Sequence, residues 1–252
     1  MPIDVPGKMY NTAAFPTPIA SRGWASTSSR IHSRNPELRT KGSNREVTWL
    51  NIRHAAINLL YRKGFRKMNV RELSGVAGLQ AGSLYNYFDS KDDLLYRLIT
   101  EITDDLLAEV SQRLDAVEDP VERVKRYIET MVKWHTLRRK EAYIGHMEVR
   151  SLSTKRYKIH IRQRDQAEQI FTKILADGCA AGIFEVPDAK IATMSTLAML
   201  RGIADWYRQR GRFSSSQLVE IYTELILKQI TAPALPSLPK RNLKKASEAS
   251  EA

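Results

Sequence analysis

From Asn69 to Lys91 the chain reads Asn-Val-Arg-Glu-Leu-Ser-Gly-Val-Ala-Gly-Leu-Gln-Ala-Gly-Ser-Leu-Tyr-Asn-Tyr-Phe-Asp-Ser-Lys, and this stretch restricts the fold more than any other. Asn69 can accept a hydrogen bond from an early backbone N–H while Glu72 reaches back, the capping-box arrangement that starts a helix. Val70, Leu73, Val76 and Ala77 give that helix an apolar face. Gly78 stops it, because a residue without Cβ suits a tight reversal between crossing helices. A short helix, Ala81 to Tyr87, follows. Ser90 as N-cap with Asp93 at the box position then opens a longer helix through Leu94, Leu95, Leu98, Ile99 and Ile102. Two short helices meeting at a glycine and feeding a long one make a helix-turn-helix.

In such a unit the second helix offers its N-terminal residues to base edges in the major groove, so those residues must be small and polar. Gln80, Ala81, Gly82 and Ser83 meet that need. Leu84 and Phe88, four apart, are expected to pin the helix to a core, while Tyr85 and Tyr87 point elsewhere and offer hydroxyls to phosphate or base. At Lys91 an ammonium group and helix N-terminal amides would converge on one anion. Charge agrees with an anionic partner. The net charge is +12, with six basic against two acidic side chains in residues 1–43 and nine against five in residues 44–99, so two thirds of the excess precedes residue 100. Nucleic acid ranks ahead of lipid headgroups because no basic amphipathic anchor helix stands out.

The remainder of the chain has helical periodicity and no sustained alternation of the kind strands show, so the class is all-α. A first helix is expected from near Asn44 to Arg62, with Ile52, Ala55, Ala56, Leu59 and Leu60 on one stripe and Gly64 ending it. Later helices are expected at roughly 119–139, 141–152, 154–181, 188–209 and 215–230, with Gly182 closing one, Pro187-Asp188 opening the next and Ser214–Ser216 capping the last. Residues 1–43 mix Pro, Ser, Thr, Arg and Gly without periodicity and read as a disordered basic arm, whose Arg22, Arg30, Arg34, Arg39 and Lys41 could add phosphate contacts. Residues 231–252 read as a second tail. This leaves a three-helix DNA-binding head at 44–99 and a larger helical domain at 100–230.

Cys179 is the only cysteine, which excludes an internal disulfide and a multi-cysteine zinc cluster within one chain. No apolar run of about 18 residues could span a bilayer, and the first thirty residues lack the apolar core of a secretory signal. A cytoplasmic, nucleoid-associated protein is expected, with no cofactor and no metal. An enzyme is the rival from another class, but the chain has no G-x-S-x-G elbow, H-E-x-x-H or P-loop, and its five histidines are scattered. His146 and Glu148 near Arg150 read better as a polar helix face than as an acid/base pair. A second rival is a basic nucleic-acid-binding protein that ignores sequence.

The run Ala77-Gly78-Leu79-Gln80-Ala81-Gly82-Ser83-Leu84-Tyr85-Asn86-Tyr87-Phe88-Asp89-Ser90-Lys91-Asp92-Asp93-Leu94 resembles the signature of the TetR family, Ala-Gly-Val-Ser-x-Gly-x-Leu-Tyr-x-His/Tyr-Phe-x-Ser-Lys-Glu-x-Leu. The resemblance extends from Arg45 to about Leu98. It implies that Gln80, Ala81 and Ser83 sit where the family reads bases, and Asn69, Tyr85, Tyr87 and Lys91 where it holds phosphate. Gln80 stands in place of the usual Ser, which weakens the N-cap expected there. The resemblance also implies a homodimer on a roughly palindromic double-stranded DNA operator, released by a small-molecule effector. Ile191, Met194, Leu197, Met199 and Ile203 with Leu218, Ile221, Tyr222, Leu225 and Ile226 are the candidates for a four-helix dimer interface.

The segment Gly202-Ile-Ala-Asp-Trp-Tyr-Arg-Gln-Arg-Gly-Arg-Phe-Ser is similar to family members that answer to acyl-coenzyme A thioesters. That likeness implies an acyl chain in an apolar pocket with basic side chains at its entrance. Trp134, Tyr143, Met147, Phe171, Met199 and Trp206 are the candidate lining, and Arg150, Arg162 and Arg164 the candidate phosphate partners. Aromatic and Met residues at helical spacing are core more often than pocket, and that reading stays open for each.

Overall fold

The computed structural model describes residues 36–231, with side chains from residue 44 onward. Most of the expected arm and all but the first residue of the expected tail therefore lie outside the described residues. The described chain is helical throughout: α1 (Pro36–Lys67), α2 (Val70–Val76), α3 (Ala81–Leu84), α4 (Lys91–Leu114), α5 (Pro120–Leu137), α6 (Arg139–Met147), a 3-10 turn (Glu148–Ser151), α7 (Thr154–Ala180), α8 (Ala189–Trp206) and α9 (Ser215–Thr231). The described residues from Ser43 to Thr231 belong to one compact unit.

Local chemistry accounts for most of these boundaries. Asn69 Oδ1 accepts from Arg71 N at 2.8 Å, Ser90 Oγ from Asp93 N at 3.0 Å, Asp119 Oδ1 from Glu122 N at 2.7 Å and Asp188 Oδ1 from Ile191 N at 2.8 Å. Each satisfies an N–H that the first turn of a helix leaves orphaned. At α9 the box is reciprocal, with Gln217 N donating to Ser214 Oγ and Ser214 N donating to Gln217 Oε1. At α2 it is not: Glu72 turns away to pair with Lys63 at 2.6 Å, because a charged partner on α1 competes with the backbone. Gly182, at φ +70°, ends α7 where Ile183 N returns to Gly178 O.

Helices α1 and α3 depart from the expected limits. Helix α1 begins at Pro36 rather than near Asn44, so its first turns enter the segment read as an arm. Gly64 interrupts it at φ +73°, ψ 164°, and a further turn runs on to Lys67. Helix α3 is a single turn ending at Leu84, and Tyr85–Tyr87 continue as a turn rather than as helix. Val76 is exposed, a correction to its place on the buried face of α2; Val70, Leu73 and Ala77, at helical spacing, face inward instead.

Two apolar clusters divide the interior. The first joins Ile52, Leu59 and Leu60 of α1 to Leu73, Leu84 and Phe88 and to Leu94, Leu95, Leu98, Ile99 and Ile102 of α4. It also takes in Trp134, Ala142, Ile144 and Val149 from α5, α6 and the 3-10 turn, so the three-helix head shares its core with the rest. The second holds Val124, Tyr127, Ile128, Phe171, Ile174, Leu200, Ile203, Leu218 and Ile226. Helix α4 runs through both, from Leu94 to Leu114. Among the described residues no helix is long and apolar enough to cross a membrane.

Ion pairs fix where α1 meets the body. The Arg53 guanidinium contacts Asp105 at 2.9 Å and Glu141 at 3.2 Å, and Arg138 contacts the same two carboxylates. Glu148, which follows α6, accepts from Phe65 N at 3.2 Å, beside the interruption at Gly64. At the other end of the head, Arg156 of α7 holds Asp92 and Asp93 in the first turn of α4.

Candidate nucleic-acid interface and interior cavity

The eight residues expected to meet DNA come from the N-cap of α2 (Asn69), the N-cap and turn of α3 (Gln80, Ala81, Gly82 and Ser83), the turn after α3 (Tyr85 and Tyr87) and the first residue of α4 (Lys91). Gln80, Ala81 and Gly82 are exposed and Ser83 is half-buried. Gln80 makes no side-chain cap at α3, so its amide is free to reach outward. The single turn of α3 is held from behind by Leu84 and Phe88, which are 0% and 2% exposed. Burying two such side chains contributes roughly 1.5–3 kcal/mol each, enough to define the orientation of so short a helix.

The flanking residues divide by how much of each side chain is already engaged. Tyr85 is 55% exposed, its ring 6.1 Å from that of Phe88. Tyr87 is half-buried under the Arg45 guanidinium, 5.8 Å from the ring centre. Arg45 and Arg97 donate to the carbonyls of Asn86 and Tyr87 at 3.1 and 3.2 Å and lock the turn that follows α3. Lys91 Nζ donates to Arg66 O at 3.2 Å and lies 4.5 Å over the Phe65 ring. Arg66 is three residues before Asn69, so the ammonium group stands beside the entry to α2. Asn69 is exposed and uses its carbonyl oxygen as the cap, which leaves its amide N–H groups to solvent.

The cavity lies deeper, between α4, α5, α6, α7 and α8, and spans about 830 Å³ including its open mouth. Its apolar wall includes Ile102, Leu106, Val110, Met131, Trp134, Ile170 and Leu197. Its polar wall is Tyr127, His135, His146, His160, Arg164, Glu168 and Arg201. Burial lowers the pKa of all three histidines, to about 4 at His135, and favours their neutral form. His135 Nδ1 is satisfied at 2.7 Å by Met131 O. Neither ring nitrogen of His160 is in good hydrogen-bond geometry, although the residue is 1% exposed and the Gln163 side chain lies beside it.

Of the candidate ligand residues, Trp134 and Arg164 line this cavity. Phe171 is fully buried against Tyr127, ring centres 4.6 Å apart, in the second apolar cluster. Tyr143 packs edge-on to Tyr61. Met147, Met199 and Trp206 are exposed on the outside, as are Arg150 and Arg162. The sequence reading passed over His135, His160, Glu168 and Arg201. On α7, His160, Arg164 and Glu168 recur every four residues on one face, a spacing that was legible; Arg201, from another helix, had no local signal. The interface candidates also divide: Leu197, Ile203, Leu218 and Ile226 are core, whereas Ile191, Met194, Met199, Ile221 and Leu225 are between 37% and 60% exposed.

Comparison with known proteins is consistent with this geometry. A model described as bacterial regulatory proteins, tetR family, matches residues 52–98, and one described as a tetracyclin repressor-like C-terminal domain matches residues 117–230. The HTH-type transcriptional repressor KstR2 of Mycolicibacterium smegmatis is 25% identical over 183 residues, covering 70% of this chain and 87% of the relative. A bacterial regulatory protein in the tetR family from Rhodococcus RHA1 superposes with a TM-score of 0.70 at 24% identity, covering 74% of this chain and 98% of that one. The crystal structure of AibR in complex with isovaleryl coenzyme A and operator DNA superposes with a TM-score of 0.67 at 18% identity, over 71% of this chain and 97% of that one.

Proposed function

Because the chain belongs to the TetR family of DNA-binding transcriptional regulators, we propose that it is a homodimeric repressor that reads a palindromic operator through α3 and is released by a ligand in the interior cavity. Gln80, Ala81, Gly82 and Ser83 face base edges, while Asn69, Tyr85, Tyr87 and Lys91 hold phosphates on either side. The exposed Ile191, Met194, Ile221 and Leu225 on α8 and α9 pair with their copies across a two-fold axis. Such a regulator works in the cytoplasm, where the chromosome is.

One observation carries the link between ligand and DNA: Ile102 on α4 is both a buried member of the head's core and part of the cavity wall. A ligand that displaces α4 from the inside therefore repositions the head that packs on its other end. Two heads must meet successive major grooves about 34 Å apart, and a ligand that binds a spread form better depletes the form that fits. A few kcal/mol of differential affinity suffices. An acyl compound, the free acid or its coenzyme A thioester, is the proposed effector class, supported by the apolar wall of the cavity and by the coenzyme A thioester named with AibR.

The test is to select bound duplexes from a random library with the purified protein at physiological salt, then sequence the survivors. The expected result is a palindrome with half-sites about one helical turn apart. Survivors without a shared sequence, from protein freed of co-purified small molecules, would contradict the proposal.

A further inference from the structure

Arg164, Arg201 and His160 give the cavity a polar wall that its apolar surroundings do not explain. No carboxylate comes within ion-pair distance of either guanidinium among the described residues. Arg201 donates from Nε to Leu197 O at 3.1 Å, which leaves the fork at its tip unused. Burial, and next the neighbouring Arg164 guanidinium, disfavour the charge on Arg201, while Tyr127 and Glu168 act the other way. His160 is buried with neither ring nitrogen in good hydrogen-bond geometry and only the Gln163 side chain beside it, so a ligand acceptor there would be favoured. A wall of two guanidinium groups without an ion-pair partner and a poorly satisfied imidazole, beside an apolar trough, is complementary to an amphipathic acid.

We propose that the cavity binds a ligand with an ionised carboxylate, seated between Arg164, Arg201 and His160, and a hydrocarbon body lying along Ile102, Leu106, Met131, Trp134, Ile170 and Leu197. The guanidinium forks donate to the carboxylate oxygens and the neutral imidazole donates one N–H. A carboxylate offsets the repulsion that Arg164 exerts on Arg201 and offers His160 a well-placed acceptor. An alcohol or amide of the same length gains the apolar contacts but leaves both guanidinium charges uncompensated. This inference rests on the reading of the cavity as the effector site, and it places the ligand's negative charge inside the protein rather than only at the mouth.

The experiment uses the full chain and isothermal titration with straight-chain acids of four to twelve carbons, the matching alcohols, and octanoyl-coenzyme A. The expected result is that one chain length of acid binds at least about tenfold more tightly than its alcohol, since charge-assisted hydrogen bonds are worth about 1.5–3 kcal/mol. Arg201→Gln and Arg164→Gln should each weaken the acid by about tenfold or more while weakening the matching alcohol much less, so that the preference for the acid is lost. Equal binding of acid and alcohol, binding of the thioester without the free acid, or binding of neither would overturn the carboxylate site. A separate arm measures operator affinity in the presence of the bound acid. Release supports both claims, whereas acid binding that depends on the arginines without release leaves the carboxylate site standing and sinks the effector reading.

Discussion

At the scale of single residues the eight positions proposed to meet DNA separate into two kinds, and each kind predicts a different phenotype. Lys91→Ala and Tyr85→Ala remove proposed phosphate contacts, so they should weaken binding to every duplex and flatten the salt dependence. Gln80→Ala and Ser83→Ala should instead change which duplexes are preferred, with a base-edge contact worth roughly 1–3 kcal/mol. Titration of each variant against a panel of single-base operator variants checks both. His135 makes a second prediction. Burial holds its folded pKa near 4, below its ordinary 6.5, so the unfolded chain takes up a proton that the native chain refuses. Stability on this account is full above pH 6.5 and falls as the pH drops toward 4, by about 2 kcal/mol between pH 7 and pH 5. Urea midpoints at the two pH values measure the loss, and His135→Gln should lessen the slope.

Individual helices were legible where a side chain signals its own boundary. Asn69, Ser90, Asp188 and Ser214 could be read as starts because capping is a contact between neighbours in sequence. The box at Glu72 failed because Lys63, on a different helix, competes for the carboxylate. Leu84 and Phe88 could be placed in the core from their spacing alone. The cavity could not be read that way, since its walls come from five helices and no periodicity says which apolar face closes on a partner and which stops short. Gly64 gives a test at this scale. With φ +73° and ψ 164°, it occupies a region open essentially to glycine alone, and a Cβ there would come within 3.3 Å of the Glu148 carboxylate. Gly64→Ala should cost about 1–3 kcal/mol and lower the melting temperature, without altering the residues that face DNA.

For the molecule as a whole, the distribution of exposed apolar side chains matters most. Ile191, Met194, Ile221 and Leu225 sit on α8 and α9, whose opposite faces are core, so a charge placed there does not disturb folding within one subunit. Leu225→Glu should leave helicity unchanged, convert the protein to a monomer in sedimentation, and reduce operator affinity by at least about 100-fold because each head then binds a half-site alone. The sequence alone listed core and surface positions of these two helices together, because both α8 and α9 are apolar on more than one side and burial depends on helices far away in the chain. Sequence-specific reading of DNA by α3 is the central claim, and competition tests it most directly: labelled operator against unlabelled operator or a scrambled duplex of the same composition, at physiological salt. A preference of at least ~10³ for the operator is predicted; equal competition by the two duplexes, with a steep salt dependence, would contradict it.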